Sequence, residues 1–142
     1  MHDEAADDEV VEELLVTASP PSVWQALVDP GRRRHWWSYL ELAPVAGSEF
    51  AERWTDVDGT PVLTSGSVLD VVPDRRLRLT WRDEGWPVPT VVEITLAPAE
   101  SGTVVAVRHS GWGRLPDGLR LAEEHRAGWR VHLANLRRHL EG

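Results

Sequence analysis

The sequence predicts an α+β fold. In this fold one curved antiparallel sheet of about seven strands is covered by a long C-terminal helix, with two short helices near the start and a hydrophobic cavity beneath the long helix. Residues 117–140 have the apolar spacing of a single amphipathic helix. Turn residues divide residues 40–109 into short strands. Eight tryptophans recur across these regions, which favours an interior built for an apolar guest.

The composition fits one soluble domain. A chain of 142 residues with 42% apolar residues can close one core and has no room for two. The absence of cysteine excludes disulfides, thiolate metal sites and a cysteine nucleophile, and makes the cytoplasm the expected location. No signal-peptide pattern opens the sequence, and no apolar run reaches the roughly 18 residues of a membrane span. All 15 basic residues are arginine, a composition typical of a GC-rich bacterial genome.

Acidic residues are concentrated at the start of the chain. The first 13 residues hold seven acids and no basic residue, and without these acids the net charge of −8 would be −1. We therefore expect an acidic, disordered tail over residues 1–9 and a single folded domain over residues 10–142. Such a nearly neutral domain lacks the concentrated basic face that a nucleic-acid partner requires. The run Arg32-Arg33-Arg34 is interpreted as a solvated helical face.

A strand and two short helices are predicted first. Residues 10–18, rich in Val and Leu, form a strand whose free edge could pair in a homodimer. Ser19 then caps a helix that begins with proline and ends near Val28. Asp29-Pro30 repeats this cap pattern before a second short helix over residues 32–37.

The strands that follow form a meander. In residues 76–81 apolar and polar side chains alternate, which places Leu77, Leu79 and Trp81 on one sheet face. Asp58-Gly59 predicts a hairpin that joins the strands at residues 49–57 and 60–72. The last strand is expected over residues 103–109.

The final helix carries an apolar stripe that should face the sheet. Its members recur at steps of three and four residues: Leu121, His125, Trp129, His132 or Leu133, Leu136 and Leu140. Gly128 lies inside this helix, where glycine costs roughly 1 kcal/mol relative to alanine. Its presence therefore indicates either close packing or room beside Trp129.

Several short motifs occur in an order that is typical of a known superfamily. They are residues 19–27, Trp36-Trp37, residues 66–73, Leu79-Thr80-Trp81, residues 102–109 and residues 128–140. With these motifs the chain resembles the START-like (SRPBCC) superfamily, in the branch of homologues of the activator of the heat-shock protein 90 ATPase. The resemblance covers nearly everything after Val10. The Gly-Gly-x-Phe motif of many members is here Gly47-Ser48-Glu49-Phe50.

The resemblance implies a helix-grip fold, of the START/Bet v 1-like kind, whose cavity in relatives accepts lipids, polyketides or other hydrophobic molecules. The residues expected to reach the cavity, by strand face and by resemblance, are Trp36, Trp37, Phe50, Trp54, Trp81, His109, Trp112, Leu121, His125 and Trp129. Aromatic walls suit a planar or apolar ligand, although tryptophans also fill the cores of small domains. We predict that the chain binds a small hydrophobic or aromatic molecule, for sequestration or transport, without a prosthetic group or other cofactor.

Two other functions stay open. An aromatase or cyclase could use His109 or His125 for proton transfer on a polyketide, although no catalytic residue is assigned. A co-chaperone that activates the heat-shock protein 90 ATPase is the function that the family name implies. A metal site is not expected, because His125 and His132 lie about 10.5 Å apart along a helix, too far for one ion. The usual motifs of hydrolases and phosphate-binding loops are also absent.

Overall fold

A computed structural model describes residues 8–142 and shows one antiparallel sheet of seven strands in the order β1-β7-β6-β5-β4-β3-β2. The strands are β1 (Glu9–Val16), β2 (Leu40–Glu41), β3 (Glu49–Thr55), β4 (Pro61–Val72), β5 (Arg76–Asp83), β6 (Thr90–Ala99) and β7 (Gly102–Ser110). Two short helices, α1 (Pro20–Val28) and α2 (Pro30–Arg33), follow β1, and the long helix α3 (Gly118–Glu141) comes last. The predicted helix-grip fold class is confirmed.

Two residues that were assigned to the acidic tail have defined contacts in the folded domain. Residues 1–7 of the predicted acidic tail lie outside the described residues, whereas Asp8 and Glu9 belong to the folded part. The Asp8 carboxylate accepts hydrogen bonds from the backbone N–H groups of Gly111, at 3.3 Å, and Gly113, at 2.6 Å. Glu9 pairs with Ser110 in the sheet. The acidic character of these two residues misled the prediction, because both acids find partners.

Both predicted helix caps are present. Ser19 Oγ accepts from the N–H of Ser22 at 3.4 Å, and Asp29 Oδ2 accepts from the N–H of Arg32 at 3.0 Å. The second helix differs from the prediction of residues 32–37, because it begins at Pro30 and ends at Arg33. The residues after it form a turn.

Arg33 corrects the interpretation of the arginine run as a solvated face. Its side chain is buried and donates to the backbone oxygens of Leu27 at 3.1 Å, Val28 at 3.3 Å and Leu42 at 3.2 Å. These carbonyls end α1 and precede β3, so the guanidinium fixes the chain on both sides of the turn. Burial lowers the pKa of Arg33 from its usual value.

The core lies between the inner face of the sheet and α3. On β5 the alternation is as predicted, with Leu77, Leu79 and Trp81 buried, and it continues to the buried Asp83. Helix α3 turns one side toward the core, where its buried residues are Ala122, Trp129, Leu133 and Leu136. Within residues 8–142, none of the helices combines the length and apolar character of a membrane span.

The edge strand β1 is tied to α3 by charge. Glu12 accepts from Arg126 at 3.1 Å and from Arg130 at 2.8 Å, and the N–H of Thr17 donates to Glu141 at 2.9 Å. These contacts hold the end and the middle of the helix over the first strand. A homodimer through this edge stays a prediction.

Substitution by alanine should change the stability of the protein in opposite directions at Gly128 and at Gly66. A Cβ at Gly128 would meet nothing within 4 Å, whereas one at Gly66 on β4 would lie 2.0 Å from the Thr80 carbonyl oxygen. We expect Gly128→Ala to raise the free energy of unfolding by about 1 kcal/mol, because alanine is the better helix former. Gly66→Ala should lower it, and chemical denaturation measures both. A destabilised Gly128→Ala protein would contradict the open space seen beside this residue.

Candidate functional site

The interior between α3 and the sheet contains a small apolar cavity of about 20 Å³. Three predicted site residues, Trp36, Trp37 and Trp129, contribute to its walls. The remaining walls are formed by Val23, Leu27, Ile94, Leu96, Val105, Val107, His132, Leu133 and Leu136. The cavity has about the room of one water molecule, whereas pockets for drug-sized ligands measure about 300 to 1,000 Å³. The cavity is therefore smaller than the space that a ligand of that size would need.

An aromatic cluster adjoins this cavity and contains most of the other predicted site residues. His109 lies at its centre, with ring centroids 4.3 Å from Trp112, 5.3 Å from His125 and 5.7 Å from Trp81. Phe50 packs on Trp81 at 5.7 Å. The cluster therefore connects β3, β5, β7 and α3 through ring contacts.

Two predicted residues lie at the margin of this arrangement. Trp54 is partly buried on β3, and Leu121 is partly buried against the core from α3. Trp86, which the sequence analysis did not select, is buried and packs 5.4 Å from His125 and 5.7 Å from Trp112. Trp86 lies in the turn between β5 and β6, where its position in the sequence gave no strand or helix face to assign.

The hydrogen bonds of His109 fix its protonation state. Thr90 Oγ1 donates its single proton to the Trp81 carbonyl at 2.8 Å, so it must accept from His109 Nε2 at 2.7 Å. Trp129 Nε1 donates to His109 Nδ1 at 3.0 Å. The imidazole is therefore neutral, with its proton on Nε2 and its acceptor site on Nδ1.

This geometry makes His109 a structural residue. Burial, together with the nearby His125, holds the pKa of His109 well below its usual value. A proton on Nδ1 would face the indole N–H of Trp129, so the ring cannot take up a second proton without breaking that bond. The proton-transfer role considered for His109 therefore finds no support in the structure.

A row of polar side chains crosses the inner face of three strands, where Thr64 on β4 pairs with Glu52 on one side and Asp83 on the other. All three are buried. Trp37 Nε1 donates to Glu52 Oε2, Trp54 Nε1 donates to Thr64 Oγ1 at 2.9 Å, and Thr64 Oγ1 donates to Asp83 Oδ1 at 2.5 Å. Burial raises the pKa of both carboxyl groups. We call Glu52, Thr64 and Asp83 the polar row.

His125 closes the row from α3. Its Nδ1 donates to the Leu121 carbonyl at 2.9 Å, and its Nε2 lies 3.6 Å from Asp83 Oδ2. Because Nε2 and Oδ2 are both acceptors when neither is protonated, a proton between them turns this contact from repulsion into attraction. The side chains of His125 and Asp83 are 16% and 12% exposed, so the row meets solvent here.

Sequence reasoning missed the two carboxylates, although a signal for each was present. Glu52 falls between Phe50 and Trp54 at two-residue steps, and Asp83 continues the inner face of Trp81. Strand parity thus placed both acids inside, but the selection favoured apolar and histidine side chains. His132 was left undecided against Leu133, and the structure turns both toward the cavity.

Two buried polar atoms have no hydrogen-bond partner within residues 8–142: Trp81 Nε1 and His132 Nδ1. Both rings contact Trp37, whose centroid lies 6.4 Å from that of Trp81 and 4.2 Å from that of His132. Burial lowers the pKa of His132 to about 4. No group of three or more His, Cys, Asp or Glu side chains suited to a metal ion occurs in the described part of the chain.

Comparison with known proteins places these features in a family. The model of the family described as "Activator of Hsp90 ATPase homolog 1-like protein" matches residues 17–141. Protein MLL2253 from Mesorhizobium loti is 27% identical with a TM-score of 0.76, and the match covers 94% of this chain and 96% of that one. Protein CV1439 from Chromobacterium violaceum, 24% identical with a TM-score of 0.80, shares the fold over 95% of this chain and 98% of its own.

A further similar structure comes from a biosynthetic locus. DynU16, from the dynemicin biosynthetic locus, is 27% identical with a TM-score of 0.80 over 94% of this chain. The match covers 47% of DynU16, so the present chain spans about half of its length. No curated protein matches the sequence.

Thr90 supplies a test of the His109 bonds. Thr90→Val keeps the shape of the side chain and removes the acceptor for His109 Nε2, so a buried N–H loses its partner. We expect the free energy of unfolding to fall by about 1 to 3 kcal/mol. Thr95→Val, on the outer face of the same strand, is the matched control and should change stability little. Equal effects of the two substitutions in urea unfolding would refute the role given to this bond.

The buried His132 makes stability depend on pH. Its pKa is about 4 in the folded protein and 6.5 in the unfolded chain, so the unfolded chain binds the proton first as the pH falls. The contribution of neutral His132 is complete above pH 6.5 and is lost between pH 6.5 and about pH 4. We expect the stability difference between the wild type and His132→Phe to shift by about 3 kcal/mol against the wild type over this range.

Urea unfolding at several pH values measures that difference. Phenylalanine keeps a ring on Trp37, and the titration of other groups cancels between the two proteins. Parallel stability curves for both proteins would contradict a buried, neutral His132.

Proposed function

The chain belongs to the family of Activator of Hsp90 ATPase homolog 1-like proteins, and from this premise we propose that it binds a small hydrophobic or aromatic molecule between α3 and the sheet. The observation that carries the proposal is the incomplete filling of this interior. A cavity of about 20 Å³ lies there, and Trp81 Nε1 and His132 Nδ1 are buried without partners. An unpaired buried polar group costs about 1 to 3 kcal/mol, so these atoms favour a bound guest over packing alone.

Trp37 is the side chain whose movement would enlarge the cavity. It follows the turn after α2 and belongs to no helix or strand, yet its ring is buried and lines the cavity. The residues before it are fixed, because Arg33 binds three carbonyls and Trp36 Nε1 donates to the Ala26 carbonyl at 2.8 Å. Rotation of the Trp37 side chain would add the volume of an indole to the cavity and uncover both unpaired atoms. The mechanism is thus sequestration of an aromatic-sized ligand in the place of this ring.

For the enzyme alternative, His125 is a better candidate for proton transfer than His109. His109 has both ring nitrogens occupied, whereas His125 Nε2 faces Asp83 where the polar row meets solvent. An aromatase or cyclase of this fold would therefore transfer protons through His125, and turnover of a bound compound separates it from a carrier. Activation of the heat-shock protein 90 ATPase stays a prediction from the family name.

A thermal-shift screen against lipids, aromatic polyketides and smaller aromatic compounds tests ligand binding. A compound at 100 times its Kd should stabilise the protein by roughly 2.7 kcal/mol, which raises the Tm by about 5 to 10 °C. The eight tryptophans provide a second readout through their fluorescence. If no compound in the panel changes either signal, the interior is packing alone and the proposal fails.

A cavity-filling variant locates the bound compound. Val105 is buried and lines the cavity, whereas its neighbour Val104 points to the outer face. We expect Val105→Ile to stabilise the free protein by up to about 0.8 kcal/mol, since it buries one more methylene, and to weaken binding. Val104→Ile should leave the affinity unchanged. Equal affinity of both variants would place the ligand elsewhere.

A further inference from the structure

The polar row has hydrogen-bond acceptor capacity that the described residues do not use. Glu52 is 6% exposed, and within residues 8–142 its one side-chain donor is Trp37 Nε1. A carboxylate offers about four lone-pair sites, so most of its acceptor capacity is unused. No arginine in the described part of the chain forms an ion pair with Glu52 or Asp83. Glu52 therefore has acceptor capacity left for a donor that arrives with another molecule.

The unpaired indole of Trp81 adds the complementary need. Trp81 is 4% exposed and lies two residues before Asp83 on the same inner face of β5. Its ring is 6.4 Å from the ring of Trp37, which donates to Glu52, and 6.4 Å from the ring of His125, which faces Asp83. Near Trp37, the Glu52 carboxylate can therefore accept a further hydrogen bond, and the Trp81 indole has one to donate.

The role of Trp37 connects these needs to ligand entry. Its ring lines the apolar cavity, and its N–H supplies the one side-chain hydrogen bond of Glu52. If a ligand takes the place of this ring, Glu52 loses that bond. The ligand must then carry its own donor, because otherwise an unpaired carboxylate would be left in the interior. The molecule that replaces Trp37 should therefore have an apolar body in the place of the ring and a hydrogen-bond donor in the place of the indole N–H.

We propose that the polar row binds the hydroxyl group of an apolar or aromatic ligand. This hydroxyl donates a hydrogen bond to Glu52 and accepts a hydrogen bond from the indole N–H of Trp81. This inference rests on the proposed function, since it needs the ligand to occupy the space of Trp37. A hydroxyl group donates and accepts through a single oxygen atom, and so it can bond to Glu52 and to Trp81 at the same time. The hydrocarbon part of the ligand lies in the enlarged cavity between α3 and the sheet.

Four probes of nearly equal size test the assignment: 4-methylbenzyl alcohol, its methyl ether, 4-methylbenzylamine and p-xylene. The alcohol donates and accepts, the ether only accepts, the protonated amine only donates and the hydrocarbon does neither. Calorimetric titration of the full chain with each probe should show the alcohol binding at least about tenfold more tightly than the ether, the amine and the hydrocarbon.

Glu52→Leu removes both acceptor oxygens and keeps a side chain of comparable size. It cannot accept from the ligand hydroxyl, so the preference for alcohol over ether should fall toward one. Glu49→Leu is the matched control, because Glu49 lies exposed on the same strand and loses the same charge. Trp81→Phe gives an independent arm, in which the alcohol and the ether lose affinity while p-xylene keeps its own.

Each other outcome overturns the assignment. Alcohol and ether of equal affinity would show that no hydroxyl is recognised, while the binding of an apolar ligand would stand. Tighter binding of the amine than of the alcohol would make the row a site for an organic cation. If none of the four probes binds, the hydroxyl site is refuted, and the wider compound screen decides separately whether the protein binds ligands.

Discussion

A single neutral imidazole joins the two layers of this protein. His109 accepts from Trp129 on α3 and donates to Thr90 on β6, while the carbonyl of the same residue accepts from Trp112 Nε1 at 2.8 Å. These bonds hold the helix at one position and one rotation over the sheet. Because the two bonds of the ring require the proton on Nε2, the packing of Trp129 on this ring depends on its tautomer. The fixed part of the interior is therefore the part around His109.

The part of the interior around Trp37 is held differently. Within residues 8–142 Glu52 accepts from one side-chain donor, Trp37 Nε1, and the ring of Trp37 comes from a segment without helix or strand. A fold can keep such a region because the residues around His109 supply the packing that stability needs. Local stability is uneven in most proteins, and binding regions are drawn from the less stable part. Both proposals depend on the contrast between the fully bonded ring of His109 and the unpaired atoms of Trp81 and His132, whose rings contact Trp37.

The sequence predicted the architecture better than the site, for physical reasons. Period-two and period-3.6 patterns report which side of an element is buried, so β5, α3 and the caps at Ser19 and Asp29 could be predicted from residues close in the chain. Hydrogen-bond partners are set by contacts between distant residues, and no local pattern links Trp37 to Glu52. Arg33 shows the same limit, because its burial depends on carbonyls that the turn brings around it. The two acids of the polar row could have been predicted from the sequence, because strand parity places both on the inner face. They were not selected because their side chains are charged.

The pairing of β1 has a consequence for how the chain reaches this structure. Glu9 lies opposite Ser110, and Glu12 binds Arg126 and Arg130, so the first strand finds its partners about 100 residues later in the chain. At a synthesis rate of about 5 to 20 residues per second, the nascent β1 waits on the order of 5 to 20 s on the ribosome before β7 and α3 emerge. During this interval Val10 and Val16, which end in the core, have no native surface to cover them. The acids interspersed among the apolar residues of this strand can keep it in solution until β7 and α3 have been synthesised.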